Sequence, residues 1–385
     1  MKKKLVFISN MASPYQVKFC YALQEYFNTE FWFYVRREKN RPVWWEIPLG
    51  DKCKIMRFSG RIPKIGYFSF GLFSELIRFK PDIILLGGFM KWHWLVLKLA
   101  KLFKKDTKVV FMSEPLRFVK SDRDSCSSLQ TRENSKNKME LRRKLFSGAD
   151  LYCGMGEIAE KQFIKEIGFP KDKVDVLYYP QDIDEYFNHP LREKKKGDKF
   201  RILFANRLID RYQPLFALKV FERVQSEYPN VEMVMNNDGP LKEKCVEYIR
   251  DNKLKNVRFL EDIDSWNNMH LIYKDSDILI LPATYSNVNG TIIEARASGM
   301  GIVISNKINH VEQHSFNGEN CFICNLSIEE FSYAVLTYIR NPEILISHGL
   351  LSREKVEGRK NKYTAKMYYE VFKKHGFVGQ SETEK

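Results

Sequence analysis

Three features are missing from the 385 residues. No apolar run comes near the ~18 residues of a spanning helix; the longest candidate, 83–103, is broken by Lys91, His93, Lys98 and Lys101. The segment after the first apolar run, Ile8-Ser9-Asn10-Met11-Ala12-Ser13, has no glycine. That excludes the Gly-x-Gly-x-x-Gly turn of dinucleotide-dependent oxidoreductases. Cysteine is sparse and odd in number, with seven scattered mostly within apolar runs. This reads as reduced thiols rather than a disulfide framework. Cys321 and Cys324 form a CxxC with no second pair nearby, so a structural zinc site is not expected. The run Leu5–Ile8 after Met-Lys-Lys-Lys is too short for a signal peptide, which predicts a cytoplasmic protein.

What is abundant is positive charge, and it is unevenly placed. The net charge is +15, yet residues 1–199 hold 39 Lys+Arg against 24 Asp+Glu, and residues 200–385 hold 24 of each. The split implies two modules, the first facing something anionic. No nucleic-acid-binding motif or basic tail accompanies the charge, so nucleic acid is not the expected partner.

Short apolar strands alternate with amphipathic helices along the chain. Strands are expected at Leu5–Ile8, Ile83–Leu86, Val109–Met112, Leu151–Cys153 and Val174–Leu177, with helices over Tyr15–Phe27, Lys91–Lys104 and Glu157–Ile167. The run His189–Asp198 has no apolar period and reads as an exposed linker. Alternation then resumes, with strands at Ile202–Ala205, Val231–Met235, Val257–Leu260, Ile278–Leu281 and Ile302–Ser305. This pattern predicts an α/β protein of two Rossmann-like units in tandem, each a parallel sheet covered by helices. The expected division is 1–189, a linker at 190–199, a second unit at 200–360, and a C-terminal helix and tail at 361–385 that could pack back on the first unit. Open parallel sheets bind ligands beyond the carboxyl ends of their strands, so two facing sheets would share a cleft. The polar, Ser-rich stretch Arg117–Lys138 reads as a loop of the first unit, either a solvated insertion or a lid over an acceptor.

The segment 276–299 carries the most chemistry. A buried strand ends at Pro282, a polar loop containing Gly290 follows, and a helix starts near Thr291. Free N–H groups at such a helix start suit a diphosphate. Glu294, one turn in, can face the same crevice and accept from two adjacent hydroxyls, as in a ribose, or can be an ordinary solvated glutamate.

Glu294-Ala295-Arg296-Ala297-Ser298-Gly299 resembles the second half of the nucleotide-sugar signature of retaining glycosyltransferases of family 4, which have the GT-B fold. Asn206-Arg207-Leu208, Asn237-Asp238-Gly239-Pro240-Leu241, Asn256–Leu260 and Asn317–Asn320 are similar to further motifs of that family, in the same order. Ser13-Pro14-Tyr15 and the stretch from Pro81-Asp82 to Gly87-Gly88 are similar to one bacterial branch. The resemblance implies two Rossmann-like domains facing each other across a cleft. It implies retaining transfer of a hexose or N-acetylhexosamine from a nucleotide sugar, without an essential metal or other cofactor. The acceptor would be a glycan or lipid-linked oligosaccharide of bacterial surface polysaccharide, such as capsule, O-antigen or lipopolysaccharide.

By the same resemblance Glu294 would bind the donor ribose. Arg207 would bind the diphosphate, with Gly239, Asn287, Asn289, Gly290 and Thr291 around it. Ser286 stands where the family has a first glutamate and Tyr212 where it has a lysine; Arg211 is the adjacent cation. Pro14 and Tyr15 fall on the acceptor side. Glu114, in the stretch Phe111-Met112-Ser113-Glu114 that ends the strand Val109–Met112, is a candidate polar contact or base. The departures at Ser286 and Tyr212 fit altered specificity or a catalytically degenerate homologue that binds glycan or a partner. Trp44, Trp45, Trp92 and Trp94 lie beside cations, a composition suited to the cytoplasmic face of the inner membrane, or are core residues.

Overall fold

The computed structural model describes residues 1–38, 41–62, 66–116, 118–121, 129–132, 136–261, 263–287, 290–308 and 317–379. In chain order the first part runs β1 (Lys4–Met11), α1 (Pro14–Ala22), β2 (Asn28–Val35), β3 (Cys53–Ile55), β4 (Ser59–Ile62), β5 (Gly66–Ser69), α2 (Gly71–Phe79), β6 (Ile83–Gly87), α3 (Lys91–Phe103) and β7 (Lys108–Ser113). It continues with β8 (Phe118–Ser121), β9 (Leu129–Arg132), α4 (Lys136–Phe146), β10 (Leu151–Gly154), α5 (Glu157–Gln162) and β11 (Val174–Val176). The second part runs β12 (Phe200–Phe204), α6 (Pro214–Glu227), β13 (Val231–Met235), α7 (Lys242–Asp251), β14 (Val257–Phe259), α8 (Met269–Lys274), β15 (Ile278–Leu281), α9 (Gly290–Ala297), β16 (Gly301–Ser305) and β17 (Phe322–Cys324). Three helices close the chain: α10 (Ile328–Arg340), α11 (Glu343–Val356) and α12 (Asn361–Lys374).

Two compact units result: residues 1–117, 133–182 and 359–385, and residues 118–132 with 183–358. The changeover thus falls at Asp182–Ile183 rather than at residue 190. The expected exposed linker is not uniformly exposed, because Arg192 within it is 5% exposed and makes five hydrogen-bonded contacts to backbone carbonyls and one to the Ser298 hydroxyl. The stretch expected as a loop of the first unit, Arg117–Lys138, contains the antiparallel pair β8–β9, and residues 118–132 of it are grouped with the second unit. The helix expected over Tyr15–Phe27 stops at Ala22 and passes through a 3-10 turn, Leu23–Glu25.

The first unit is a parallel seven-stranded sheet in the order β11-β10-β7-β6-β1-β2-β3. The central strand β6 and the first part of β1 are apolar without alternation because both faces of the sheet are covered. Alternate residues enter different cores. Val6, Ile8, Trp32, Tyr34, Ile84 and Leu86 pack on one face. Leu5, Phe7, Phe31, Phe33, Ile83 and Leu85 pack on the other. The second face also receives Ala365, Tyr368, Tyr369 and Phe372 of α12, so the last helix belongs to the first unit's core.

The second unit is a parallel six-stranded sheet in the order β14-β13-β12-β15-β16-β17. β12 pairs with β13 on one side and with β15 on the other. The direction of winding therefore reverses between β12 and β15, and a crevice opens where their following loops part. In the first unit the corresponding reversal lies between β1 and β6.

Candidate functional site

The loops that follow β12, β13 and β15 meet at the carboxyl edge of the second sheet. Backbone hydrogen bonds tie them together: Leu208 N–H donates to the Asp238 carbonyl at 2.7 Å, Leu241 N–H to Leu208 at 3.0 Å, and Thr284 N–H to Arg211 at 2.9 Å. Residues far apart in sequence thereby become neighbours at the sheet's switch point.

Arg207 stands in this junction and is half-buried. Its Nε donates to Asp238 Oδ2 at 2.6 Å and its Nη2 to Oδ1 at 3.4 Å, a fork on a carboxylate. Gly239 follows Asp238 with φ +145°, and a Cβ there would sit 2.4 Å from the Leu208 carbonyl oxygen. The glycine is needed for two backbones to meet, and that contact sets where Arg207 begins. Arg211, exposed, lies 4.5 Å above the Tyr212 ring and 5.8 Å above that of Tyr285, and its Nη2 donates to the Tyr212 hydroxyl. The buried side-chain oxygens Asn206 Oδ1 and Asn237 Oδ1 have no hydrogen-bond partner. They place two unsatisfied acceptors in the loops after β12 and β13, where a ligand's donors would satisfy them.

α9 rises from the loop after β15. Gly290 and Thr291 form its start, half-buried, and its first turn holds no acidic residue. The free N–H groups and the positive dipole end are left without a competing carboxylate from that turn. Ser286 is buried and forms a β-bridge with Ile308; Asn287 is half-buried. Asn289 lies outside the described residues. Glu294 is 2% exposed and accepts a hydrogen bond from the Tyr273 hydroxyl at 2.5 Å. It is therefore a buried, hydrogen-bonded carboxylate rather than a solvated one.

In the first unit, Ser13 caps α1, accepting from Gln16 N–H, and Pro14 takes the first helical position. The Ser13 hydroxyl is 2.9 Å from that of Tyr179. Tyr15 meets Tyr179 and Trp45 edge-on at 6.2 and 6.3 Å between centroids, and Arg41 lies 4.5 Å above Trp45. Burial pushes the Tyr179 phenol up to about 12, the Ser13 hydrogen bond opposes this, and Glu114 adds to it. Pro14, Tyr15 and Glu114 thus gather around Tyr179 at the carboxyl edge of the first sheet, after β1 and β7. Trp92 packs against Phe68, Phe70 and Phe73, whereas Trp94 is 37% exposed.

Asp238, Tyr273 and Thr284 have clear structural parts here that the sequence did not assign. Asp238 lies in the turn Asn237–Leu241, and nothing in that turn's sequence shows which cation it grips. Tyr273 is separated from Glu294 by 21 positions, a whole strand and a loop. Among the described residues, no group of three or more His, Cys, Asp or Glu could hold a metal ion. No described helix is long and apolar enough to cross a membrane.

Residues 187–348 match the family model described as glycosyl transferases group 1, within the second unit. A putative glycosyltransferase EpsF of Bacillus subtilis is 27% identical over 195 residues, 47% of this chain and 50% of that protein. An uncharacterized glycosyltransferase of Methanocaldococcus jannaschii is 25% identical over 139 residues, 34% of each. The chain spans half or less of the length of these curated relatives. Among solved structures, the lipopolysaccharide outer core galactosyltransferase WaaB superposes with TM-score 0.64 at 16% identity, over 96% of this chain and 99% of that one. Anabaena HepE in complex with UDP and glucose gives TM-score 0.64 at 14% identity, over 96% and 99%.

Proposed function

We propose, from the GT-B fold of this chain and the group 1 glycosyltransferase match over residues 187–348, that the protein transfers a sugar from a nucleotide-sugar donor to a glycan or lipid-linked acceptor. The observation that carries this reading is the junction at the β12/β15 switch point. There a forked arginine, a second cation, two unsatisfied amide oxygens and the start of α9 share one sheet edge.

Each part has a chemical task. Arg207, Arg211 and the N–H groups of Gly290 and Thr291 neutralise the diphosphate, whose negative charge grows as the glycosidic C–O bond breaks. Glu294 accepts from the ribose hydroxyls. Gly239 lets the Asp238 turn approach Leu208, and Asp238 aims Arg207. Tyr212 and Ser286 line the donor side in place of a lysine and a glutamate, and they change which sugar is held. Transfer retains the anomeric configuration: the acceptor oxygen bonds the anomeric carbon on the face from which diphosphate departs, and the acceptor's proton passes to a diphosphate oxygen. The charge neutralisation rests on arginines and backbone, so no metal is assigned to the step.

The acceptor belongs to the first unit, around Pro14, Tyr15 and Glu114, with Glu114 as a polar contact or, in place of the diphosphate oxygen, as the base that takes the acceptor's proton. The basic excess of residues 1–199 suits an anionic, lipid-linked oligosaccharide of surface polysaccharide at the inner membrane's cytoplasmic face. The exposed Trp94 and Leu102, on the same helix as Lys98 and Lys101, support a peripheral location.

The test is thermal shift against UDP, GDP, ADP, CMP and dTDP and their sugar conjugates. A ligand at 100 times its Kd adds about 2.7 kcal/mol. Stabilisation by one nucleotide, abolished in Glu294→Ala, supports the donor site and names the base. No shift with any of them would leave a degenerate homologue that binds glycan or a partner. Flotation with anionic and neutral liposomes tests the membrane claim, which fails if the two give equal recovery.

A further inference from the structure

Glu294 is almost wholly removed from water, and a buried carboxylate is costly unless hydrogen bonds replace its hydration. Tyr273 on α8, itself 0% exposed, supplies one of them. At 2.5 Å between oxygens this is a short hydrogen bond. Tyr273 is in turn held through its ring and its backbone. Its ring meets the Tyr186 ring edge-on at 5.2 Å. Its carbonyl accepts from Arg192 Nη2, and the same guanidinium donates to the Ser298 carbonyl and hydroxyl. Arg353 adds a donation from Nε to the Ala297 carbonyl at 3.1 Å and from Nη2 to the Ser298 carbonyl at 3.2 Å. The carbonyl ends of α8 and α9, the two helices that carry Tyr273 and Glu294, are therefore bolted together by Arg192. Arg353 secures α9 a second time, and two cations at a helix's negative end are favourable there.

We propose that Tyr273 is a positioning residue of the donor site: its hydroxyl fixes the Oε2 oxygen and the carboxylate plane of Glu294, so that the carboxylate meets the ribose hydroxyls already aligned. The proposal rests on the donor-site reading of Glu294. Tyr273 occupies one acceptor position of the carboxylate. Holding the group in a single rotamer removes the ordering cost that a free glutamate would meet on binding. Tyr273 touches no reacting atom, so its effect is on affinity for the ribose and not on the chemistry at the sugar.

The experiment compares wild type and Tyr273→Phe by calorimetry. The probes are whichever of UDP, GDP, ADP or CDP wild type binds most tightly, and its 2′,3′-dideoxy counterpart. The expected result is on the order of tenfold weaker binding of the ribonucleotide by the variant, with the dideoxynucleotide changed by less than about twofold. Equal losses for both ligands would show a structural role and overturn the proposal, as would no loss for either. 3,5-Difluorotyrosine at position 273 keeps the ring and the hydroxyl and strengthens it as a donor. It should move ribonucleotide affinity alone, and an unchanged affinity overturns the proposal even if Tyr273→Phe does not fold. If wild type binds the two nucleotides equally, or neither, the donor-site reading fails at Glu294 itself, before Tyr273 is at issue.

Discussion

Arg207 and Asp238 face each other through two nitrogens and two oxygens, at 2.6 and 3.4 Å, although 31 positions separate them. Only Nε and Nη2 take part in this pair. A guanidinium can hold a carboxylate on one edge and offer its remaining N–H groups to a phosphate, which an ammonium cannot do in fixed geometry. Arg207→Lys should therefore weaken nucleoside diphosphate binding by about tenfold or more, equivalent to ~1.4 kcal/mol. The unliganded melting temperature should stay nearly constant, because the pair is partly exposed and worth little to folding. Calorimetry against the wild type decides it: equal affinities would remove Arg207 from the diphosphate site.

Gly239 holds that arrangement in register. A methyl group at this position would lie 2.4 Å from the Leu208 oxygen and 2.6 Å from Leu208 C and N, and all three are backbone atoms that cannot turn aside. With φ at +145° the conformation is also one that L side chains rarely adopt. Gly239→Ala should cost about 3 kcal/mol or more and reduce nucleotide affinity by displacing the Asp238 turn. Urea denaturation with nucleotide titration measures both, and an unperturbed midpoint would show that the turn yields easily.

Both sheets were legible where strands are covered on two faces. Leu5–Ile8 and Ile278–Leu281 are uninterrupted apolar runs, and no other short structure fits them. β2 was not, because Asn28-Thr29-Glu30 opens it with polar side chains that the neighbouring strands neutralise: Lys54 pairs with Glu30 at 2.9 Å. Arg192 misled for a tertiary reason. It stands in a charged run, yet its partners are carbonyls near residues 273 and 298, and no local pattern announces them. The candidate site was legible as motifs at loops after strands. Its connections were not, since Tyr273–Glu294 and Arg207–Asp238 are contacts between separate elements.

The last helix offers a stability prediction in the first unit. Phe372 is 0% exposed, with its ring 5.9 Å from that of Phe27 near the other end of the chain. Phe372→Ala should cost about 3–5 kcal/mol, the transfer of the ring plus the cavity it leaves. Tyr363→Ala on the same helix, at 39% exposure, should stay within about 0.5 kcal/mol. Matched urea curves compare the two. Similar losses would mean that α12 contributes through helix propensity rather than through its buried face.

Buried histidines give the protein an acid limb. His189 hydrogen-bonds Ser298 and His270, and burial, reinforced by Arg192, His270 and Arg353, pushes its imidazole down to about 3. Burial also pushes His93 down to about 4, against the opposing Gly88 hydrogen bond, and lowers His348. An unfolded histidine titrates near 6.5, so as pH falls below that value the unfolded chain takes up protons that the folded chain refuses. Stability from these groups is complete above about pH 6.5 and is lost toward their folded values, at up to roughly 1.4 kcal/mol per pH unit for each. Glu232 acts in a lower window. Burial raises it, but hydrogen bonds from Lys199 and Arg258 prevail and hold it at about 2, so its contribution is lost only below about pH 4.5. Between pH 6.5 and 4.5 the decline comes from the histidines and is opposed by Asp277, whose carboxyl burial raises. His189→Gln should lower the melting temperature at pH 7 by breaking its two hydrogen bonds, and should flatten the decline from pH 6.5 to 4.5. A variant curve parallel to the wild type across that window would mean that His189 takes up its proton as readily in the folded protein as in the unfolded chain, despite Arg192 and Arg353.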